Sequence, residues 1–163
     1  MTAGRRQLLL AGAAAALALA RPAAAAEPSD ADLLERLLAL ERRLEAAYAT
    51  ALERDAVGRA LGGRLLEHER EHVRGLEQAL RRLGRRPGQA PPPAPPGAAV
   101  RDPRAFARFA LGLERETVDA YEDVLTAFRD ERLLQPLGSI MAAGAQHQVA
   151  LRQVLGIELV PVP

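Results

Sequence analysis

The sequence places five side chains of kinds that bind metal ions, three carboxylates and two imidazoles, near the middle of four segments with helical periodicity. They are Glu41, Glu69, His72, Glu114 and His147. Each interrupts a stripe of apolar or small residues spaced three and four apart, so all five are predicted to point into the core of a helical bundle. A buried carboxylate without a partner costs several kcal/mol or takes up a proton. Their convergence therefore predicts a bound cation, or else strongly raised pKa values.

Two tyrosines, Tyr48 and Tyr121, each follow a glutamate of this set by seven residues. Because helical side chains lean toward the N-terminus of their helix, both rings are predicted to lean back toward the glutamates. There they would hydrogen-bond the carboxylates or act as redox-active neighbours, or else serve only as amphipathic core residues.

Other ionisable residues fall outside the apolar stripes. Glu67, His68 and Glu71 are predicted to form a solvated face with arginine partners. Glu45, one turn beyond the first glutamate of the set, offers a further carboxylate. It is either a substitute ligand or the partner of an arginine beside it on the same helix.

Four helices must position these side chains, and their ends are marked by capping and breaking residues. They are predicted over about residues 30–54, 57–83, 103–128 and 131–155. Ser29 and Asp102 are N-cap residues, and Gly84 and Gly156 close helices. The proline-rich residues 85–102 cannot be helical and predict a long crossover. The expected fold class is all-α, an antiparallel four-helix bundle of two helical hairpins joined by this crossover.

The two predicted hairpins repeat each other along the chain. Glu41 and Tyr48 recur 73 residues later as Glu114 and Tyr121, and His72 recurs 75 residues later as His147. Such a duplication predicts a pseudo-twofold axis, with the repeated residues facing one another across it.

With these motifs the chain resembles the ferritin-like superfamily over essentially all of residues 27–163. Those proteins bind two metal ions with a glutamate from each of two helices and a Glu-x-x-His motif from each of the other two. The resemblance implies that Glu41 and Glu114 are the single glutamates and that Glu69 and His72 form one Glu-x-x-His. It further implies bound iron or manganese, with His147 as the histidine of the second motif.

The second Glu-x-x-His is incomplete, because Gly144 stands where that motif has its glutamate. In the family this glutamate typically bridges the two ions. Glu69 is then the remaining candidate bridge, and Gly144 leaves space for water, hydroxide or an anion. A single ion held by Glu41, Glu69 and His72 is an equally consistent arrangement. So is a bundle that has lost its metal and acts through protein interactions.

The first 26 residues have the features of a bacterial export signal. Arg5 and Arg6 precede an apolar run over residues 8–20, and three alanines before Glu27 offer a cleavage site. The pattern resembles a twin-arginine signal, with an ordinary secretory signal as the alternative. The apolar run is short for a membrane span, so cleavage without a lasting anchor is expected. The protein is therefore predicted to be exported to the periplasm, the cell envelope or the medium.

Composition excludes several classes of function. The chain has no cysteine, which rules out disulfides and thiolate metal sites. Its 22 basic residues are all arginine, against 21 acidic residues. Removal of residues 1–26 takes away three arginines, which leaves 22 − 3 = 19 basic residues and a nearly neutral domain. Nucleic-acid binding is therefore not expected. Mixed charges on the exposed faces suggest a monomer or homodimer.

Overall fold

The computed structural model describes residues 27–88 and 102–157, which form four long α-helices and one short 3₁₀ turn. The elements are α1 (Asp30–Glu53), α2 (Arg59–Arg82), α3 (Pro103–Leu125), the 3₁₀ turn (Glu131–Leu133) and α4 (Leu134–Leu155). The all-α class predicted from the sequence is confirmed. The predicted export signal lies outside the described residues.

The helix ends follow the capping residues that the sequence contains. Ser29 and Asp32 form a reciprocal capping box at the start of α1. The carboxylate of Asp102 accepts the backbone N–H of Ala105 at 2.7 Å and caps α3. Gly156 closes α4 at φ 68°, a left-handed conformation that glycine adopts without strain. These local signals mark the starts of α1 and α3 and the end of α4.

Three of the predicted helix bounds are wrong by two or three residues. α4 begins at Leu134 instead of residue 131, because residues 131–133 form the 3₁₀ turn. α2 begins at Arg59 instead of residue 57, because Asp55 takes a left-handed conformation and Gly58 is the N-cap. α3 ends at Leu125, before Phe128, because the chain there turns to meet α1. The backbone N–H groups of Arg129 and Asp130 donate to the carboxylate of Asp30 in α1. Phe128 is still buried, but it reaches the core from this turn.

The helices form two antiparallel hairpins that pack across each other. α1 packs along α2 and α3 along α4, and α1 also packs on α3. Tyr48 of α1 contacts Glu114 of α3, and the earlier α1 residue Glu41 contacts the later α3 residue Tyr121, so these two helices run antiparallel. Most of the predicted crossover lies outside the described residues. At its start, the backbone N–H of Gly88 donates to Glu35, and its carbonyl accepts from Arg42.

The core consists of two apolar clusters, one toward each end of the bundle. Tyr48 belongs to one cluster and Tyr121 to the other, and a polar layer lies between them. Near the end of α4 the side chain that faces the core is Leu155, which is buried, whereas Val154, seven residues after His147, is 41% exposed. Seven residues make slightly less than two full turns of a straight α-helix, so residues spaced by seven gradually rotate away from the core. At the end of α4 this moves the core-facing position by one residue. None of the helices in the described part of the chain is long and apolar enough to cross a membrane.

Candidate metal centre

The five residues predicted as metal ligands meet in the polar layer between the two apolar clusters. One comes from α1, two from α2, one from α3 and one from α4: Glu41, Glu69, His72, Glu114 and His147. The three glutamates are each 1% exposed, and His147 is 3% exposed. His72 lies at the edge of the layer, with 11% of its side chain exposed. Three carboxylates are therefore buried together between two apolar clusters.

Glu69 is shared by two groups of three potential ligands. Its Oε2 lies 3.4 Å from Nδ1 of His72, and that nitrogen lies 3.2 Å from Glu41. Its Oε1 lies 3.0 Å from Nδ1 of His147, and that nitrogen lies 3.2 Å from Glu114. Within each group one ligand atom of each residue lies within 4.8 Å of the others. The second Glu-x-x-His motif contributes its histidine, and the carboxylate of Glu69 serves both groups.

Both carboxylate oxygens of Glu69 are buried without an aligned hydrogen-bond donor among the described residues. The nearby imidazole nitrogens are close, but they do not aim an N–H at these oxygens. A buried carboxylate in this condition is costly unless cations lie beside it. Nitrogen and oxygen donors converging on such a carboxylate suit iron, manganese or zinc. The donor set therefore fits a metal centre with Glu69 between two ion positions.

The two tyrosines hold the outer glutamates in a reciprocal arrangement. The hydroxyl of Tyr48 in α1 donates to Oε1 of Glu114 in α3 at 2.8 Å. The hydroxyl of Tyr121 in α3 donates to Oε1 of Glu41 in α1 at 2.9 Å. The hydrogen bonds predicted for the tyrosines are present, and their exchange between hairpins agrees with the predicted pseudo-twofold axis. Tyr121 and His72 contact different oxygens of Glu41, whereas Tyr48 and His147 contact the same oxygen, Oε1, of Glu114.

The ionisable groups shift one another's pKa values in opposite directions. Burial raises the pKa of Glu41 and of Glu114. Burial acts in the same direction on Glu69, but the two imidazoles beside it outweigh this effect and hold its pKa below the usual value. Burial also opposes the charged form of the imidazoles. The adjacent carboxylates nevertheless raise the pKa of His72 to about 10 and that of His147 to about 9. Without metal, protons held by the imidazoles balance part of the carboxylate charge.

Gly144 faces the site, and Val118 in α3 occupies the space beside it. A Cβ built at position 144 would lie 2.9 Å from Cγ2 of Val118 and 3.6 Å from Oε2 of Glu114. The glutamate that the resemblance leads one to expect therefore cannot be inserted without a shift of Val118. A cavity of about 10 Å³ lies here, lined in part by Thr117 and Met141. That volume is about the size of one water-sized ligand.

His68 lies on an exposed face, as predicted, but the prediction of an arginine partner is wrong. Its ring is exposed on α2, but its Nδ1 lies 3.0 Å from Nε2 of His147. The signal that would have found it is its spacing of four residues from His72, which places both on one side of the helix. Glu67 does have an arginine partner, Arg74, at 3.8 Å.

Glu45 does not replace the missing ligand. Its carboxylate lies 3.5 Å from Arg70 of α2, at the surface of the bundle. The partner is therefore an arginine of the neighbouring helix and not one of its own. The candidate ligands therefore remain the five residues that the sequence predicted.

Comparisons with known proteins agree with this architecture. The model of a ferritin-like domain family matches residues 29–157. Among solved structures, the chain is similar to one described as ferritin-like, diiron-carboxylate proteins from Bacillus anthracis str. Ames. The two are 20% identical with a TM-score of 0.56, over 76% of this chain and 97% of that chain. A search of curated proteins found no match. At this identity the structural likeness concerns the fold alone.

Proposed function

This chain belongs to the ferritin-like domain family, and on that premise we propose that it is an exported protein that binds one or two iron or manganese ions. The observation that carries the proposal is the carboxylate of Glu69. Both of its oxygens are buried without an aligned donor, and each faces a separate imidazole and carboxylate. A carboxylate placed in this way is stabilised by cations next to both oxygens.

The five candidate ligands form two groups, and each group would hold one ion. Glu41 and His72 would hold one ion with Oε2 of Glu69, and Glu114 and His147 would hold the other with Oε1. Two divalent ions against three carboxylates and two neutral imidazoles leave one positive charge. Hydroxide or another small anion in the cavity beside Gly144 would neutralise it. Tyr48 and Tyr121 fix the outer glutamates, and the apolar clusters exclude bulk water.

Bound iron or manganese would supply one-electron chemistry toward dioxygen or peroxide. This supports a role in iron handling or in oxidative and peroxide chemistry outside the cytoplasm. The chain's own residues would bind and orient the ions and restrict access to them. No side chain of the site identifies an organic substrate.

Elemental analysis tests the proposal directly. The chain is produced in medium supplemented with iron and manganese and purified without a chelator. One or two tightly held iron or manganese ions per chain would support metal binding. A folded chain that contains neither metal, and whose melting temperature does not change when Fe²⁺ or Mn²⁺ is added, would overturn it.

A second candidate is a bundle that has lost its metal and acts through protein interactions. It is favoured by Val118, which fills the space beside Gly144, and by the internal pairing of both imidazoles with carboxylates. This candidate requires that the metal-free chain be fully stable and that a chelator change neither its melting temperature nor its partners. The same elemental analysis separates the two candidates.

Export is supported by the sequence of residues 1–26, in particular by Arg5 and Arg6. Replacing both arginines with lysines keeps the positive charge that a general secretory signal needs but removes the twin-arginine pair. Loss of export in the doubly substituted chain would identify the twin-arginine route, and unchanged export the general route. Retention of the wild-type chain in the cytoplasm would overturn export itself.

A further inference from the structure

A hydrogen bond between two imidazoles links the candidate metal centre to the surface of the bundle. Nδ1 of His68 in α2 lies 3.0 Å from Nε2 of His147 in α4. The ring centroids lie 5.2 Å apart and the ring planes are 16° apart, so the two rings lie edge to edge in nearly parallel planes, as an N–H···N hydrogen bond requires. His147 is buried, whereas His68 is exposed. The buried ring is therefore contacted at both nitrogens, by carboxylates at Nδ1 and by His68 at Nε2.

The direction of this hydrogen bond follows from what surrounds His147. Its Nδ1 faces Glu69 and Glu114, so this is the nitrogen that would bind an ion, and it must then carry a lone pair. A neutral imidazole keeps one proton, which must be on Nε2. That N–H has an acceptor only if Nδ1 of His68 is unprotonated and the proton of His68 is on its own Nε2.

His68 has no counterpart on the other side of the pseudo-twofold axis. The residue 75 positions later, which corresponds to it in the second hairpin, is Ala143. Within the described residues, no hydrogen bond is made to Nε2 of His72. The two histidines of the centre thus differ in their outer contacts, although their contacts with the carboxylates are similar.

We propose that His68 is a positioning residue that accepts the Nε2 proton of His147 and so presents the Nδ1 lone pair of His147 to an ion. The inference rests on the proposed metal binding. A partner on the outer nitrogen of a ligating histidine fixes its tautomer and ring orientation, and its loss commonly weakens metal binding by about 10–100-fold. His68 does not touch the ion position in this arrangement; it acts through His147.

The hydrogen bond can be measured without metal. The chain contains only three histidines, so their ring nitrogens can all be assigned by NMR in ¹⁵N-labelled protein. At about pH 8 we expect a scalar coupling across the N–H···N bond between Nε2 of His147 and Nδ1 of His68. After addition of Zn²⁺, which is diamagnetic, Nδ1 of His147 should shift while Nε2 keeps its proton. Absence of the coupling, or a proton on Nδ1 of His147 in the zinc form, would overturn the inference.

Two substitutions separate hydrogen bonding from packing. His68→Asn keeps an acceptor near the position of Nδ1 but removes the ring, and His68→Phe keeps an aromatic ring but removes the acceptor. Calorimetric titration with Zn²⁺ should give an affinity for the Asn variant within about threefold of wild type, and for the Phe variant about tenfold weaker or more. Equal affinities of the two variants, or the reverse order, would show that the contact is only packing. Melting temperatures of the metal-free variants provide the control for folding.

Failure of this inference and failure of the proposed function give different results. A wild-type chain that binds no Zn²⁺, iron or manganese overturns both metal binding and the role of His147 as a ligand. Metal binding that is normal in wild type and in both His68 variants overturns only the role of His68.

Discussion

Tyr48 in α1 donates a hydrogen bond of 2.8 Å to Glu114 in α3, and the equivalent residues make the same contact in the opposite direction. Each hairpin thus supplies the tyrosine that fixes the glutamate of the other. Since each hydroxyl reaches into the polar layer from a different apolar cluster, the two hairpins are joined on both sides of the candidate centre.

Removing either hydroxyl should destabilise the bundle to a similar extent. Tyr48→Phe and Tyr121→Phe keep the buried rings but remove the tyrosine hydrogen bond to a buried carboxylate oxygen of Glu114 or Glu41. We expect each to lower the free energy of unfolding by about 1–2 kcal/mol, measured by urea denaturation of the metal-free protein. The two variants serve as controls for each other, and a large effect of only one would contradict the symmetric arrangement.

Glu69→Gln should abolish metal binding altogether, because both candidate groups of ligands include this carboxylate. Elemental analysis and titration with Mn²⁺ measure the effect. Glu67→Gln is the matched control, since Glu67 lies on the same helix with an exposed side chain. Retention of one ion per chain in Glu69→Gln would show that one group of ligands does not depend on Glu69.

Adding a methyl group at position 144 should destabilise the wild-type chain but stabilise a chain in which alanine replaces Val118. Gly144→Ala brings Cβ to 2.9 Å from Val118 and should destabilise the chain, because overpacking costs about 1–3 kcal/mol. In a Val118→Ala background the same change should stabilise by about 0.5–1 kcal/mol, through helix propensity. Gly138→Ala in the same helix meets nothing within 4 Å and should stabilise in both backgrounds. Urea denaturation of wild type, the two single variants and the double variant, with Gly138→Ala as control, gives the coupling energy between positions 144 and 118. Additive effects of the two substitutions would contradict the close approach of Val118 to position 144.

The double substitution Gly144→Glu and Val118→Ala should complete the second Glu-x-x-His and raise the metal content to two ions per chain. Gly144→Glu alone should mainly destabilise, because Val118 occupies the space that its side chain needs. Elemental analysis of both variants, with Val118→Ala alone as control, tests this. Unchanged metal content in a folded double variant would show that the absence of a glutamate at position 144 does not limit binding.

The metal-free protein should lose stability as the pH rises through the range from about 6.5 to 10. The carboxylates raise the pKa of His72 to about 10 from 6.5, so the folded state binds more protons than the unfolded state in this range. The stabilisation is complete below the unfolded pKa and is lost as the pH rises through the folded pKa. His147, with a pKa raised to about 9, acts in the same direction. Thermal denaturation between these pH values, with and without a chelator, measures the effect.

Metal binding should show the opposite dependence on pH, because an ion must displace the Nδ1 protons of the same imidazoles. Protons should be released when Mn²⁺ is added near neutral pH, and the affinity should rise with pH. A metal-free protein whose stability is independent of pH from 6.5 to 9 would contradict the raised pKa values.

The sequence by itself determined the helices and the residues that point between them. Capping residues such as Ser29 and Asp102 act on the adjacent backbone, and an apolar stripe follows from the helical repeat, so both can be read locally. The repeat of Glu41 and Tyr48 as Glu114 and Tyr121 also predicts the pseudo-twofold relation of the two hairpins from the sequence alone. These features are properties of the chain within one or two turns, or of its internal duplication.

Only the tertiary structure decided which side chains meet across helices. The end of α3 before Phe128 depends on a hydrogen bond to α1, and the contact of His68 with His147 depends on the spacing between α2 and α4. The clash that Val118 presents to position 144 depends on how closely α3 and α4 approach. Distances of this kind depend on how the helices pack against one another. The apolar pattern of a single helix does not specify that packing.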